Sequence, residues 1–291
     1  MSEFYIGNRL VGDNHPAFII AEIGNNHNGD FEMAKVMIDK AIECGVDAVK
    51  FQVKNIEKCF SKDLLDMPYD HHNSFGKTYR EHKEHLEFSH QQYADLKKYS
   101  DEKGIIFFAT PFDVDSFEFL KNIDAPAHKI SSFHVTDNDL VHAVCTAGKP
   151  IIMSTGMSSI EEIDAACEYM NKCNSTYAIL QCTSSYPTDD EDVHLSVIPE
   201  LKKRYKVVVG YSGHERGISI AASSVLLGAS VIEKHFTLDR TLKGPDHAAS
   251  LEPKGFKLMV ERARLLEKAL GNPEKVVLES ELKNRKKNRG Y

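Results

Sequence analysis

Short apolar runs alternate with amphipathic stretches along nearly the whole chain. Ala17 to Ile23, Val46 to Val53, Ile105 to Ala109, His128 to Ser131, Pro150 to Ser154, Tyr177 to Cys182, Val207 to Gly210 and Val231 to Lys234 read as strands. Asn28 to Cys44, Gln91 to Lys103, Ser116 to Asn122, Asp139 to Ala147, Ile160 to Cys173, Leu195 to Arg204, Ile218 to Leu227 and Gly255 to Leu270 read as helices. In the first of these, Phe31, Ala34, Ile38, Ala41 and Ile42 share one face, and Gly45 stops the helix. A polar segment from Asn55 to Ser89 breaks the rhythm. Continuous apolar strands, rather than alternating ones, are what a parallel sheet covered on both faces requires. Eight strand and helix pairs therefore predict an α/β fold, a (β/α)8 TIM barrel. An open doubly wound sheet is the alternative, but no glycine-rich dinucleotide turn follows the first strand.

Barrels of this kind carry their chemistry at the C-terminal ends of the strands, so the residues closing each apolar run are the candidates. The first strand ends in Glu22, then Gly24 and Asn25, Asn26, His27 and Asn28. The second carries Lys50 and Gln52, which share a face because alternate strand residues do. Thr110 closes the third, Lys129, Ser131 and Ser132 the fourth, Ser154 the fifth, and Thr183 to Tyr186 the sixth. Ser212 and His214 follow the seventh; Glu233, Lys234 and His235 end the eighth, with Asp246 and His247 beyond. Two histidines at one rim are suited to a divalent metal with open positions, although a single histidine at a strand end is ordinarily a packing residue. Lysines are rarely buried unpaired, so Lys50 and Lys129 among serines suggest an anion carrying phosphate and carboxylate groups. The plainer alternative is a structural network in which Lys50 pairs with Glu22 or Glu233.

Composition adds limits. The 291 residues, 42% of them hydrophobic, suffice for a substantial core, and the net charge of -7 gives no reason to expect nucleic acid or an anionic membrane as partner. No apolar run has the length of a membrane span and the N-terminus does not resemble a signal peptide, so a cytoplasmic location is expected. The six cysteines form no CxxC pair, and no disulfide is expected. Cys182 is the one near the rim.

The segments AEIGNNHNGD, KFQ, ATPFD, HKISS, PIIMSTGM, QCTSSYPT, GYSGHE, IEKHFTLDR and GPDHAASLEP, with GKTYREHKEHLEFS in the polar insertion, resemble the sialic acid synthase family. That family makes nine-carbon keto acids such as N-acetylneuraminate, legionaminate and pseudaminate from phosphoenolpyruvate and an aldehyde derived from an N-acyl hexosamine. The resemblance implies the same barrel. It further implies that His214 and His235 bind manganese or magnesium. Lys50, Lys129, Ser132, Ser154 and Ser212 would hold phosphoenolpyruvate, and Glu22 would move a proton or orient the attacking water. Gln52, Thr110, Ser184, Tyr186, Glu233 and Asp246 would line the sugar side.

Two departures stand out. Ser184 occupies a position where classical N-acetylneuraminate synthases carry Asn, a form closer to legionaminate and pseudaminate synthases. The family's C-terminal antifreeze-like domain is not found after ESELKNRKKNRGY. Residues 1–275 are thus expected to form the catalytic domain, with an insertion at about 55–89 acting as a lid, and 276–291 a basic, solvated linker remnant. A homodimer is expected, with a separate capping protein as a further partner. The alternatives are a synthase of shorter 3-deoxy keto acids using a phosphorylated aldose, or a ligand-binding subunit that needs the cap.

Overall fold

The computed structural model describes residues 3–290. An antiparallel hairpin, β1 (Glu3–Ile6) and β2 (Arg9–Gly12), precedes eight parallel strands. These are β3 (Phe18–Gly24), β4 (Ala48–Val53), β5 (Ile106–Pro111), β6 (His128–Ile130), β7 (Ile151–Ser154), β8 (Tyr177–Cys182), β9 (Val208–Gly213) and β10 (Val231–His235). Their ladder runs β5-β4-β3-β10-β9-β8-β7-β6, and its two ends lie side by side, so the sheet is a nearly closed barrel with one seam. The outer helices include α1 (Phe31–Glu43), α5 (His90–Lys103), α6 (Val114–Asn122), α7 (Asn138–Cys145), α8 (Ile160–Lys172), α9 (Val197–Tyr205), α10 (Ser219–Ser223) and α11 (Pro253–Leu270). Short helices α2 (Ile56–Cys59), α3 (Lys62–Leu65) and α4 (Tyr79–Leu86) lie in the insertion, and α12 (Glu279–Arg289) ends the chain. Among the described residues no helix is long and apolar enough to cross a membrane.

The expected strand and helix alternation is present, with differences that have physical causes. β9 runs on to Gly213, where a Cβ would stand 2.3 Å from a Glu215 carboxylate oxygen and 2.5 Å from the Tyr211 ring, so glycine lets the strand end close against both. The helix expected over Ile218 to Leu227 shortens to α10 and continues as a 3-10 turn, ending at Gly228 in the left-handed region. The segment expected to be a basic, solvated linker remnant contains α12, which has no buried residue and whose entry is fixed by Glu281 accepting from the Leu278 amide at 2.8 Å.

The hairpin was not expected and forms the floor of the barrel. Phe4, Ile6 and Val11 point inward against Phe18, Ile20, Ala48, Phe108, Ala127, Ile152, Ala178, Leu180, Val208 and Val231. Arg9 fastens it by donating to Asp47 at 2.9 Å, and the same carboxylate receives Arg264 at 3.1 Å. The floor leaves the opposite mouth as the way in.

Candidate active site

Parallel register places the polar strand ends in rows. His235 lies beside Glu22, and Glu22 beside Lys50; Glu233 lies beside Ser212, and Ser212 beside Cys182. A break in register between Glu22 and Gly24 ends the first row, and Gly24 takes positive φ there so that the chain turns under Gln52. Alternation sends Glu233 and His235 inward but Lys234 outward, so the expectation that Lys234 stands at the rim is corrected. Its ammonium is buried behind the sheet, 2.9 Å from Glu215, whose other oxygen accepts from Tyr211 at 2.7 Å. Glu215 follows His214 and Lys234 precedes His235, so this pair ties together the two histidine-bearing turns.

The inner chamber, about 50 Å³, gathers Glu22, Lys50, Gln52, Thr110, Lys129, Ser132, Ser154, Tyr186, Ser212, His214, Glu233 and His235. It opens through Gln52, Phe112, Tyr186 and His235 into an outer cavity of about 410 Å³ that holds Asp246. Thirteen of the fourteen site residues expected from sequence thus line one continuous space, Ser184 being the exception. Ser184 faces a neighbouring surface groove, and its hydroxyl is buried without a hydrogen-bond partner against Gly156. A Cβ on Gly156 would stand 2.3 Å from that hydroxyl and 2.9 Å from Ser132 Oγ, so only glycine lets the loop close on both serines.

Charge inside the chamber is unevenly paired. Lys50 lies 2.7 Å from Glu22 and 3.5 Å from Glu233 and donates to Thr110 at 2.9 Å, which realises the ion network considered as the plainer alternative. Lys129 is different. Its ammonium is buried, donates to Ser154 Oγ at 2.7 Å and the Ile130 carbonyl at 3.2 Å, and forms no ion pair among the described residues. Burial pulls its pKa down, as expected for an ammonium short of counter-charge. The two carboxylates are driven apart. Burial pushes Glu22 up despite Lys50, whereas at Glu233 burial is outweighed by Lys129 and Lys50, which hold it down. Such a split marks one carboxyl able to carry a proton and one that stays ionised.

The imidazoles of His214 and His235 have ring centroids 5.5 Å apart. His214 Nδ1 donates to the Thr183 carbonyl at 2.8 Å, which leaves Nε2 as its lone-pair nitrogen. Burial lowers His214, but the Cys182 thiol beside it outweighs this and raises it: the ring sits where positive charge is welcome. Burial holds His235 down to about 4, and its Nδ1 is buried without a hydrogen-bond partner. A His235 held neutral with an orphaned nitrogen, beside a His214 whose Nε2 is left free by its Nδ1 contact, fits a metal ligand pair. Among the described residues no three or more His, Cys, Asp or Glu side chains cluster for a metal, so the protein offers only two ligands and an ion would keep positions for water and substrate.

Several lining residues were not anticipated. Lys54 continues the alternation of Lys50 and Gln52 and could have been found from that spacing. Lys83 and Tyr79, on α4, carry no such signal. The insertion walls the outer cavity through these residues, while its histidines serve packing: His85 stacks on Phe75 at 4.5 Å, and His82 is buried beside Tyr69.

Buried neutral histidines also set an acid limit on stability. Burial holds His27 at about 3, helped by the Lys54 charge, and His128 at about 4, like His235. An unfolded histidine titrates near 6.5, so below that pH the unfolded chain binds protons that the folded chain refuses. Stability is full above about pH 6.5 and falls as pH drops toward 4, by on the order of 1 kcal/mol per pH unit for each histidine. Urea midpoints at pH 7 and pH 5 test this, and equal midpoints would contradict it.

A model of the NeuB family matches residues 37–275. The human N-acetylneuraminate-9-phosphate synthase is 46% identical over 275 residues, covering 94% of this chain and 77% of that protein. The N,N'-diacetyllegionaminic acid synthase of Campylobacter jejuni is 37% identical over 270 residues, covering 91% and 81%. Among solved structures, the N-acetylneuraminic acid (sialic acid) synthetase of Leptospira borgpetersenii serovar Hardjo-bovis, in complex with citrate, superposes with a TM-score of 0.88 at 36% identity, covering 100% of this chain and 98% of that one. The barrel, the shared rim and these matches lead to one conclusion: the chain belongs to the NeuB family, and its relatives are sialic and legionaminic acid synthases.

Proposed function

We propose that this chain condenses phosphoenolpyruvate with the aldehyde of an N-acyl hexosamine, forming a nine-carbon 2-keto-3-deoxy acid and releasing phosphate. The observation that carries the proposal is Lys129, a buried ammonium with hydroxyl and carbonyl partners but no carboxylate, beside Ser132, Ser154 and Ser212. A phosphate or carboxylate placed there would offset the cost of burying that charge. Lys50 reaches the same chamber and would exchange part of its contact with Glu22 for the donor's anionic groups. Glu22, pushed up by burial, would then take or return a proton at the water that adds to C2, before the C–O bond to phosphate breaks. Glu233, held down by the nearby Lys129 and Lys50 charges, stays ionised and makes its ion pair with Lys50.

A divalent cation, manganese or magnesium, held by His214 and His235, would supply Lewis acidity to the aldehyde carbonyl when bound. Gln52, Thr110, Tyr186 and Asp246 are placed to line the sugar, and Tyr186 packs on His214 with centroids 4.1 Å apart. The identity of the sugar is open within the family, since the human relative is named for a 9-phosphate product and the Campylobacter relative for an unphosphorylated one. A cover for the mouth belongs to the same proposal, for its rim presents exposed Phe133 and Tyr186 to solvent.

The test is phosphate release from phosphoenolpyruvate with manganese, across N-acetylmannosamine, 2,4-diacetamido hexoses and phosphorylated pentoses, each repeated with chelator. Metal-dependent release with an amino sugar supports the proposal. Release with pentose phosphates alone moves the chain to shorter keto acids, and binding of phosphoenolpyruvate without turnover points to a required capping partner.

A further inference from the structure

The outer cavity contains charge that neither the donor site nor the metal ligands use. Lys54 is 9% exposed, donates to Gln52 Oε1 at 2.8 Å and to Asn25 Oδ1 at 3.5 Å, and lies 4.1 Å over the ring of Phe112. Lys83 reaches in from α4, 4.9 Å from the ring centroid of Tyr79 and 5.6 Å from that of Phe60. Among the described residues neither lysine is in an ion pair, whereas Lys35, Lys40, Lys97, Lys121 and Lys172 on the outer helices each find a carboxylate one turn away. Asp246 is the one carboxylate lining the cavity. Glu87 lies beneath, occupied by the Lys54 amide and the Tyr93 hydroxyl. Burial lowers the pKa of both ammonium groups, as it does for cations whose counter-charge is incomplete.

This cavity opens from the chamber through Gln52, Tyr186 and His235. An acceptor whose carbonyl carbon sits at the two histidines must therefore extend its far end outward, past Asp246, toward Lys54 and Lys83. Two ammonium groups mounted on aromatic rings suit a dianion better than a neutral hydroxyl. We propose that Lys54 and Lys83 bind a phosphate monoester at the end of the acceptor remote from its aldehyde, so that the substrate is a phosphorylated N-acyl hexosamine. The inference rests on the synthase reading above and narrows its substrate class.

The test compares N-acetylmannosamine with its 6-phosphate in the manganese-loaded protein, measuring keto acid formation for the unaltered chain, Lys83→Gln and Lys83→Arg. The ester is expected to be preferred in kcat/KM by on the order of 100-fold. Lys83→Gln should lower kcat/KM for the ester by about 10- to 100-fold, the loss of a charge-assisted contact, and for the free sugar by far less, so that the preference collapses. Lys83→Arg should retain most of it.

Equal use of the two sugars, or a Lys83→Gln effect that is the same for both, overturns the inference while leaving the synthase reading intact, since keto acid still forms. It is likewise overturned if inorganic phosphate competes with the free sugar and the ester is not preferred, because the lysines would then serve the departing product. If neither sugar yields keto acid, the synthase reading fails first. Calorimetric binding then decides the subsite: ester binding lost in Lys83→Gln upholds it, and equal binding of ester and sugar removes it.

Discussion

Lys234→Met is expected to lower the unfolding free energy by about 3–5 kcal/mol. Both side chains of the Lys234 and Glu215 pair are fully buried, so removing the ammonium strands a carboxylate in the layer between sheet and helices. The Lys234 ammonium also donates to the Glu215 carbonyl, so the turn after His214 loses a backbone anchor as well. The pair gains little over an apolar substitute, because desolvation consumes most of its attraction. Combining Lys234→Met with Glu215→Leu and Tyr211→Phe, which removes the orphaned hydroxyl, should therefore recover most of the loss. Urea unfolding of the single and combined variants provides the measurement; a single variant within about 0.5 kcal/mol of the parent would refute the argument. Because the pair flanks both histidines, manganese affinity should fall in the single variant and return only in part in the combined one.

Glu22→Gln is expected to reduce kcat by about 10²- to 10⁴-fold, the range for removing a positioned proton carrier. The substitution keeps the shape of the side chain and its contact with Gln52, and Lys50 retains Glu233 and Thr110. Folding should hold, and phosphoenolpyruvate should bind within a few-fold of normal because Lys129 and its serines are untouched. The comparison of single-turnover rate with donor affinity is decisive. A rate within about tenfold of the parent would assign Glu22 to the ion network alone.

The barrel was legible because its strands are buried on both faces and its helices on one, which writes two different periods into the sequence. The rim was legible for a related reason: Glu22, Lys50, Lys129 and Ser212 interrupt otherwise apolar strands, and such interruptions are rare without purpose. Period two also carried information that the polar boundary after Gln52 obscured, since Lys54 lies on the same face. It equally separates Lys234 from Glu233 and His235, which adjacency in sequence had grouped.

Other features had no local signature. Lys83 reaches the cavity because α4 packs over the mouth, a tertiary event. α12 has no buried residue, so no apolar stripe announces it. In the hairpin, Phe4, Ile6 and Val11 are too few to distinguish from chance, and only the barrel floor gives them meaning.

That floor has a consequence for how the chain is made. The hairpin is synthesised before the barrel strands, yet the surface it fits includes Val208 and Val231 from the last two strands. Through most of synthesis Phe4, Ile6 and Val11 therefore have no complete partner, and the barrel cannot be sealed strand by strand as it emerges. The hairpin waits for the last strand, and β10, which brings His235 to the mouth, also completes the bed on which it comes to rest.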